Sequence, residues 1–199
     1  VDIEPDYYCL DVQKVKNAIN EKTKAIVAVN LFGHPADLKN LRRLADQNNI
    51  YLIEDAAQCP LATDNGKYAG TFGHIGVFSL NYHKHFHTGE GGICCTDDEE
   101  LALKMQAIRN HGENIVEELN IKNPINFVGF NFRMTELSAA IGIEQLKRIN
   151  EFVDNRENKA NILTNKLSDL DGLNPPLVRK DCRHVYYVWA CKIDSKKIN

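Results

Sequence analysis

The residue pattern predicts an α/β fold, in which a mostly parallel sheet covered by helices leads into the start of a smaller α/β domain. Three observations predict it. Short apolar runs alternate with amphipathic segments through the first half of the chain, the β-α-β rhythm of parallel strands joined by helical crossovers. From Thr135 to about Leu170 the pattern turns almost wholly helical. A Pro175-Pro176 linker then leads to one last apolar run, HVYYVWACKI, far in sequence from the others.

The elements follow in order. DVQKVKNAINE puts Val12, Val15 and Ile19 on one side of a helix. TKAIVAVNLF reads as a buried strand that GHP breaks, and ADLKNLRRLADQNN as a second helix with Leu38, Leu41, Leu44 and Ala45 turned inward. IYLIED, HIGVFSL and GGICCT read as three more strands. DDEELALKMQAIRNHG opens with acids, which the positive end of a helix dipole favours, and ends in glycine. Residues 112 to 133, rich in Asn and Gly, read as irregular. TELS opens the late helical stretch with a capping-like pattern, and Asp171-Gly172 closes it. HVYYVWACKI reads as a strand that begins a second domain. The start, VDIEPDYY, and the end, DSKKIN, both read as cut from something longer.

Composition excludes some functions. The 199 residues carry a net charge of only -3, whereas a dedicated nucleic-acid binder is usually strongly basic. No apolar run approaches the roughly 20 residues of a membrane helix. Six cysteines are scattered without a CxxC pair, the usage expected of reduced, buried thiols in a cytosolic protein.

Two segments carry chemistry. IYLIEDAAQ sets Glu54 and Asp55 at the carboxyl end of a strand, where ligands of open α/β sheets bind. Alternation points the two acids to opposite faces, so only one faces the crevice. It either holds a cation or a protonated ring nitrogen, or simply caps the turn. Gln58 adds an amide close by, and Ala56 and Ala57 leave room for a flat ligand.

The second segment is FSLNYHKHFHTGEGG, and three readings of it compete. Lys84 in a partly apolar crevice loses its charge readily and can form a Schiff base with an aldehyde, with the Ser79 hydroxyl on the same wall. Alternatively, an extended chain presents His83, His85 and His87 on one face, as zinc requires. In the third reading the loop is only basic and solvated.

Taken together, EDAAQ, FSLNYHKHFHTGEGG and FNFRMTELSAAIG resemble the DegT/DnrJ/EryC1/StrS family of nucleotide-sugar aminotransferases. The resemblance runs from Val1 to Trp189 and extends to LFGHPADL, the helix ending RNHG, and EQLKRINEFVDNRENKA. It implies the aspartate-aminotransferase fold (fold type I) and pyridoxal 5'-phosphate as cofactor. By position, Lys84 resembles the lysine that bonds the cofactor, Asp55 the partner of the pyridine nitrogen, Gln58 the donor to the ring hydroxyl and Ser79 a phosphate ligand. Asn131 resembles an asparagine that reaches the phosphate from a neighbouring subunit, which implies a homodimer with a shared site. Residues 1–150 then form part of the cofactor-binding large domain, and 151–199 the long connecting helix and the start of the small domain. The implied reaction is ping-pong transfer of an amino group from an amino acid, glutamate, to a nucleotide-linked keto sugar, in a cytoplasmic enzyme of polysaccharide, glycan or natural-product biosynthesis. His87, Leu80 and Cys59-Pro60 depart from the family pattern, and the family's early segment, with its phosphate contacts and stacking aromatic, is missing.

Two rivals stand beside this reading, a non-catalytic sensor or structural relative and a metal-binding hydrolase built on the histidine loop. Arg133 either faces a substrate anion or pairs with Glu136. The stripe Leu137, Ala140, Ile141, Glu144 and Leu146 reads as core packing, and so does Trp189.

Overall fold

The computed structural model describes residues 1–112 and 128–197. Its central sheet has the order β1-β2-β5-β6, with β1 at Ala25–Val29, β2 at Tyr51–Asp55, β5 at Ile75–Ser79 and β6 at Gly92–Cys95. Strands β1, β2 and β5 are parallel, in a register that sets Asp55 opposite Val29 on one side and Val77 on the other. Their carboxyl ends therefore share one edge, the edge predicted to bind. The small strands β3 (Thr63–Asp64) and β4 (Lys67–Tyr68) lie between β2 and β5 in sequence.

Local chemistry sets the first helices. Helix α1 (Val12–Ala18) begins at Asp11, whose carboxylate accepts from the backbone N–H groups of Gln13 and Lys14, filling donors that a helix start leaves open. Helix α2 (Leu38–Gln47) is capped by Asp37 and lays Leu38, Leu41, Leu44 and Ala45, all buried, on β1 and β2. Each fully buried leucine contributes roughly 2 kcal/mol of apolar burial. Ile26, Ala28 and Leu52 answer from the sheet. The opposite face of β1 is open, with Val27 55% exposed.

Strand β6 departs from the parallel rhythm. It runs antiparallel to β5, pairing Gly76 with Cys95 and Ser79 with Gly92. The physical reason is the link. Parallel neighbours need a crossover, usually a helix, and the lysine loop that joins β5 to β6 contains none.

Helix α3 (Glu99–Arg109) is capped by Asp98, and Thr135 caps α4 (Glu136–Leu146) by accepting from Ser138 N. The expected single helical stretch breaks at Lys147-Arg148 and resumes as α5 (Ile149–Leu167), which buries Ile149, Val153 and Ala160. The stripe read as core on α4 is not buried. Leu137 is 80% exposed, and Ile141, Ile143 and Leu146 are exposed with it. An apolar stripe says that a face wants cover, not that this chain supplies it. Trp189 is half-buried, its indole N–H donating to Thr164 Oγ1.

HVYYVWACKI is not one strand. Only Lys192–Ile193 (β9) is extended in a ladder, with Leu173–Asn174 (β7), while Cys182–Arg183 (β8) pairs with β3. Between them Val185 N donates to Gly33 O and Val188 N to Phe32 O. The segment spends its backbone donors on the turn after β1, and Tyr186 at φ +47° interrupts any extended run. Among the six free cysteines only Cys9 and Cys59 are buried, and Cys94 is exposed. Among the described residues no helix is long and apolar enough to cross a membrane.

Candidate active site

The two acids at the end of β2 have separate roles. Glu54 is fully buried. Its Oε1 accepts from Phe72 N and Gly73 N, and its Oε2 from Gly70 N, each at 2.6 Å, with Asn30 Nδ2 at 3.4 Å. All four partners donate, so Glu54 is fully committed to folding the 70–73 turn against the sheet. Gly70 in that turn has φ +89° and its Cα faces the Phe78 ring, a place with no room for a side chain. Asp55, on the opposite face, is half-buried and accepts only from Ala57 N, at 3.1 Å, within its own turn. Of the two acids, Asp55, the one the family resemblance implies for the ring nitrogen, keeps the fewer partners.

Gln58 follows three residues later. Its Oε1 accepts from Phe32 N at 2.7 Å. That bond holds the tight turn Leu31–Gly33, in which Phe32 sits at φ +60°. It also orients the amide, leaving the Nε2 hydrogens to donate elsewhere. Gly33 has φ +97°, and a Cβ there would stand 2.9 Å from Tyr187 N and 3.1 Å from Gln58 O. Glycine lets three segments meet at this point: the turn after β1, the turn after β2, and the 184–188 segment.

Ser79 ends β5, half-buried, its Oγ accepting from Asn81 N at 3.3 Å and its own proton uncommitted. Lys84 lies five residues on, half-buried, with Nζ 4.7 Å from the centre of the Tyr187 ring. Asp55, Gln58, Ser79 and Lys84 are thus brought to the carboxyl edge of adjacent parallel strands, with Tyr187 linking the Gln58 side to the lysine. Asn131 is not joined to them. It is exposed, and its backbone bridges Asn110 at the end of α3. Phe132, beside it, lines an open groove of about 970 Å³ between β6 and α3, and none of the other four site residues does.

The histidine loop is a turn rather than an extended strand, so its rings diverge. His83 is exposed with its ring tilted against that of Tyr82, His87 accepts from Gly89 N, and His85 is buried with Nε2 against Val185 O at 2.9 Å. Burial pushes His85 down to about 4, helped by the nearby Arg156 and Lys84 charges, so near neutral pH the ring is uncharged and Nε2–H donates to that carbonyl. Two more buried histidines stand nearby. Burial also lowers His34 to about 4 and His184 to about 3, their rings meeting edge-on at 5.3 Å. Arg133 lines the same groove as Phe132, and its Nη1 donates to Asn110 Oδ1 at 2.7 Å rather than pairing with Glu136.

Sequence reasoning missed Glu54 as a structural hub, the Phe32-Gly33 turn and Tyr187. The alternation of Glu54 and Asp55 carried the first signal, and the GHP break after β1 hinted at the second. Nothing local pointed to Tyr187, which meets Lys84 across more than a hundred residues of chain.

Comparison with known proteins agrees with this architecture. The family model described as the DegT/DnrJ/EryC1/StrS aminotransferase family matches residues 1–199. GDP-perosamine synthase of Caulobacter vibrioides is 36% identical over 194 residues, covering 97% of this chain and 51% of that protein. GDP-4-keto-6-deoxy-D-mannose 3-dehydratase of Yersinia pseudotuberculosis is 41% identical over 175 residues, 81% of this chain and 44% of that one. The structure of the E. coli GDP-4-keto-6-deoxy-D-mannose-3-dehydratase with bound hydrated PLP matches with a TM-score of 0.85 at 33% identity, covering 100% of this chain and 54% of that one. The chain spans about half the length of the curated relatives it matches. With a family model matched from its first residue to its last and relatives above 30% identity, the chain belongs to the DegT/DnrJ/EryC1/StrS aminotransferase family.

Proposed function

We propose that the polypeptide is a pyridoxal-phosphate-dependent aminotransferase. In this reading it moves an amino group from an amino acid, L-glutamate, to a nucleotide-linked keto sugar, for the synthesis of polysaccharide, glycan or natural-product sugars. The observation that carries the reading is Lys84, whose amine stands at the same sheet edge as Asp55, Gln58 and Ser79 and has no acid paired with it among the described residues. The solved structure of GDP-4-keto-6-deoxymannose-3-dehydratase with a trapped PLP-glutamate geminal diamine (33% identical, TM-score 0.86) supports glutamate as donor, and that of a mutant of the same enzyme with bound GDP-perosamine supports a nucleotide sugar as substrate.

The donor set fits this cofactor. Asp55 offers a carboxyl group held by one weak bond, suited to a ring nitrogen. Gln58 offers the Nε2 hydrogens that its bond to Phe32 leaves free, suited to a ring hydroxyl. Ser79 offers a hydroxyl proton to a phosphate, and Ala56 and Ala57 keep the floor low. When bound, the cofactor supplies an aldehyde that takes up an amino group and a ring that accepts electron density. Lys84 Nζ then moves the proton between the carbon of the amino donor and the cofactor as general base and acid. Asn131, remote from the other four within one chain, serves the phosphate of a second copy, so the reading includes a homodimer. It keeps residues 1–150 as the large domain and 151–199 as the link to the small one. The free thiols support a reducing, cytoplasmic setting.

One observation favours a second reading. The Yersinia relative, at 41% identity, is named a 3-dehydratase, so removal of a hydroxyl from the sugar is the competing outcome. The test is direct: incubate the full-length polypeptide with pyridoxal phosphate, glutamate and a nucleotide-linked 4-keto-6-deoxy sugar, and identify the product by mass spectrometry. A new amine on the sugar, lost in Lys84→Ala, supports aminotransfer. A deoxygenated sugar without nitrogen refutes it in favour of dehydration, and no change in the sugar refutes both.

A further inference from the structure

The Lys84 amine rests over an aromatic face, not on an acid. Its Nζ is 4.7 Å from the Tyr187 ring centre. Tyr187 itself is held from several sides. Its carbonyl accepts from Arg156 Nη1 of α5 at 3.3 Å. Its backbone nitrogen abuts Gly33, and its neighbours Val185 and Val188 donate to Gly33 O and Phe32 O. His85, next to Lys84 in the chain, bonds Val185 O, and its ring lies 5.9 Å from that of Tyr187. The loop that carries the amine and the segment that carries the ring are therefore clamped together beside their contact.

We infer that Tyr187 is a positioning residue for Lys84, its ring face holding the amine at the carboxyl edge of β5 whenever that amine is not bonded to the cofactor. The inference rests on Lys84 being the cofactor lysine. An aromatic face suits the task because it attracts an ammonium without a countercharge. A buried carboxylate would hold the ammonium in a pair whose rupture strands both charges. The ring lets the amine leave and return, while the His85 and Arg156 bonds keep the ring from following it.

A graded series tests this in the full-length polypeptide. Tyr187 is replaced by phenylalanine and by phenylalanines bearing one, two and three ring fluorines, which drain the negative ring face with little change of shape. Each variant is freed of cofactor and mixed with pyridoxal phosphate. Stopped-flow absorbance follows capture, in which amine and aldehyde join with loss of one water. Borohydride reduction and peptide mapping then identify the labelled lysine. Because the ring face favours the ammonium whereas the neutral amine attacks the aldehyde, capture is expected to quicken stepwise as the face is drained, by about tenfold across the series, at constant melting temperature. A stepwise slowing overturns the role of Tyr187. A flat series with the label on Lys84 overturns the role of Tyr187 alone. A label on another lysine overturns the functional reading as well.

Discussion

Glu54 and Asp55 are neighbours in sequence with the same functional group, and the structure predicts opposite consequences for making each one an amide. Glu54→Gln must turn its NH₂ toward two donors. The least damaging orientation keeps oxygen on Phe72 N and Gly73 N and sets the amide nitrogen against Gly70 N and Asn30 Nδ2. Gly70 N, buried, then loses its acceptor, which costs about 1–3 kcal/mol, and donor facing donor raises the total to roughly 3–4 kcal/mol. For a chain of this size that lowers the melting temperature by roughly 6–16 °C. Asp55→Asn keeps an oxygen for Ala57 N on a half-buried side chain, so its stability changes by no more than about 0.5 kcal/mol. Differential scanning calorimetry of the cofactor-free protein separates the two, and cofactor titration completes the comparison: Asp55→Asn weakens binding, whereas Glu54→Gln acts through the fold. Equal melting temperatures for Glu54→Gln and the parent, or an equal loss in both variants, would refute the division of labour.

Three further predictions follow from the same geometry. His34, His85 and His184 are held neutral, at about 4, 4 and 3, against an ordinary value of 6.5. Their contribution is present above pH 6.5 and is lost as pH falls toward 4 and then 3, on the order of 3 kcal/mol each for His34 and His85 and about 5 kcal/mol for His184 at the limit; hydrogen exchange at the Val185 and Val188 amides should therefore accelerate on acidification before α2 loses protection. Gly33→Ala puts a Cβ 2.9 Å from Tyr187 N and 3.0 Å from Tyr186 N at φ +97°, so it should destabilise by at least about 2 kcal/mol and expose the same amides. Gln58→Glu keeps an acceptor for Phe32 N and removes the free donors, so the melting temperature should hold within about 2 °C while cofactor affinity falls roughly tenfold; unchanged affinity would remove Gln58 from the site.

Much of this was legible without coordinates. Helices α1 to α3 and the central strands follow from apolar spacing and from the caps Asp11 and Asp98, because both are properties of a few neighbouring residues. The motifs around Asp55, Gln58, Ser79 and Lys84 likewise carry their own spacing, and the parallel register delivers them to one edge. Five matters needed the folded chain. Only packing decides that Glu54 turns inward to the 70–73 turn and leaves Asp55 free. The antiparallel course of β6, the exposure of Leu137 and Ile141, and the diversion of HVYYVWACKI onto Gly33 each depend on what lies beside an element rather than within it. The same holds for Tyr187 under Lys84. Local sequence determines what conformation a segment can adopt and which side of it is apolar. Which partner satisfies a buried donor, acid or face is a long-range competition, and tertiary structure alone settles it.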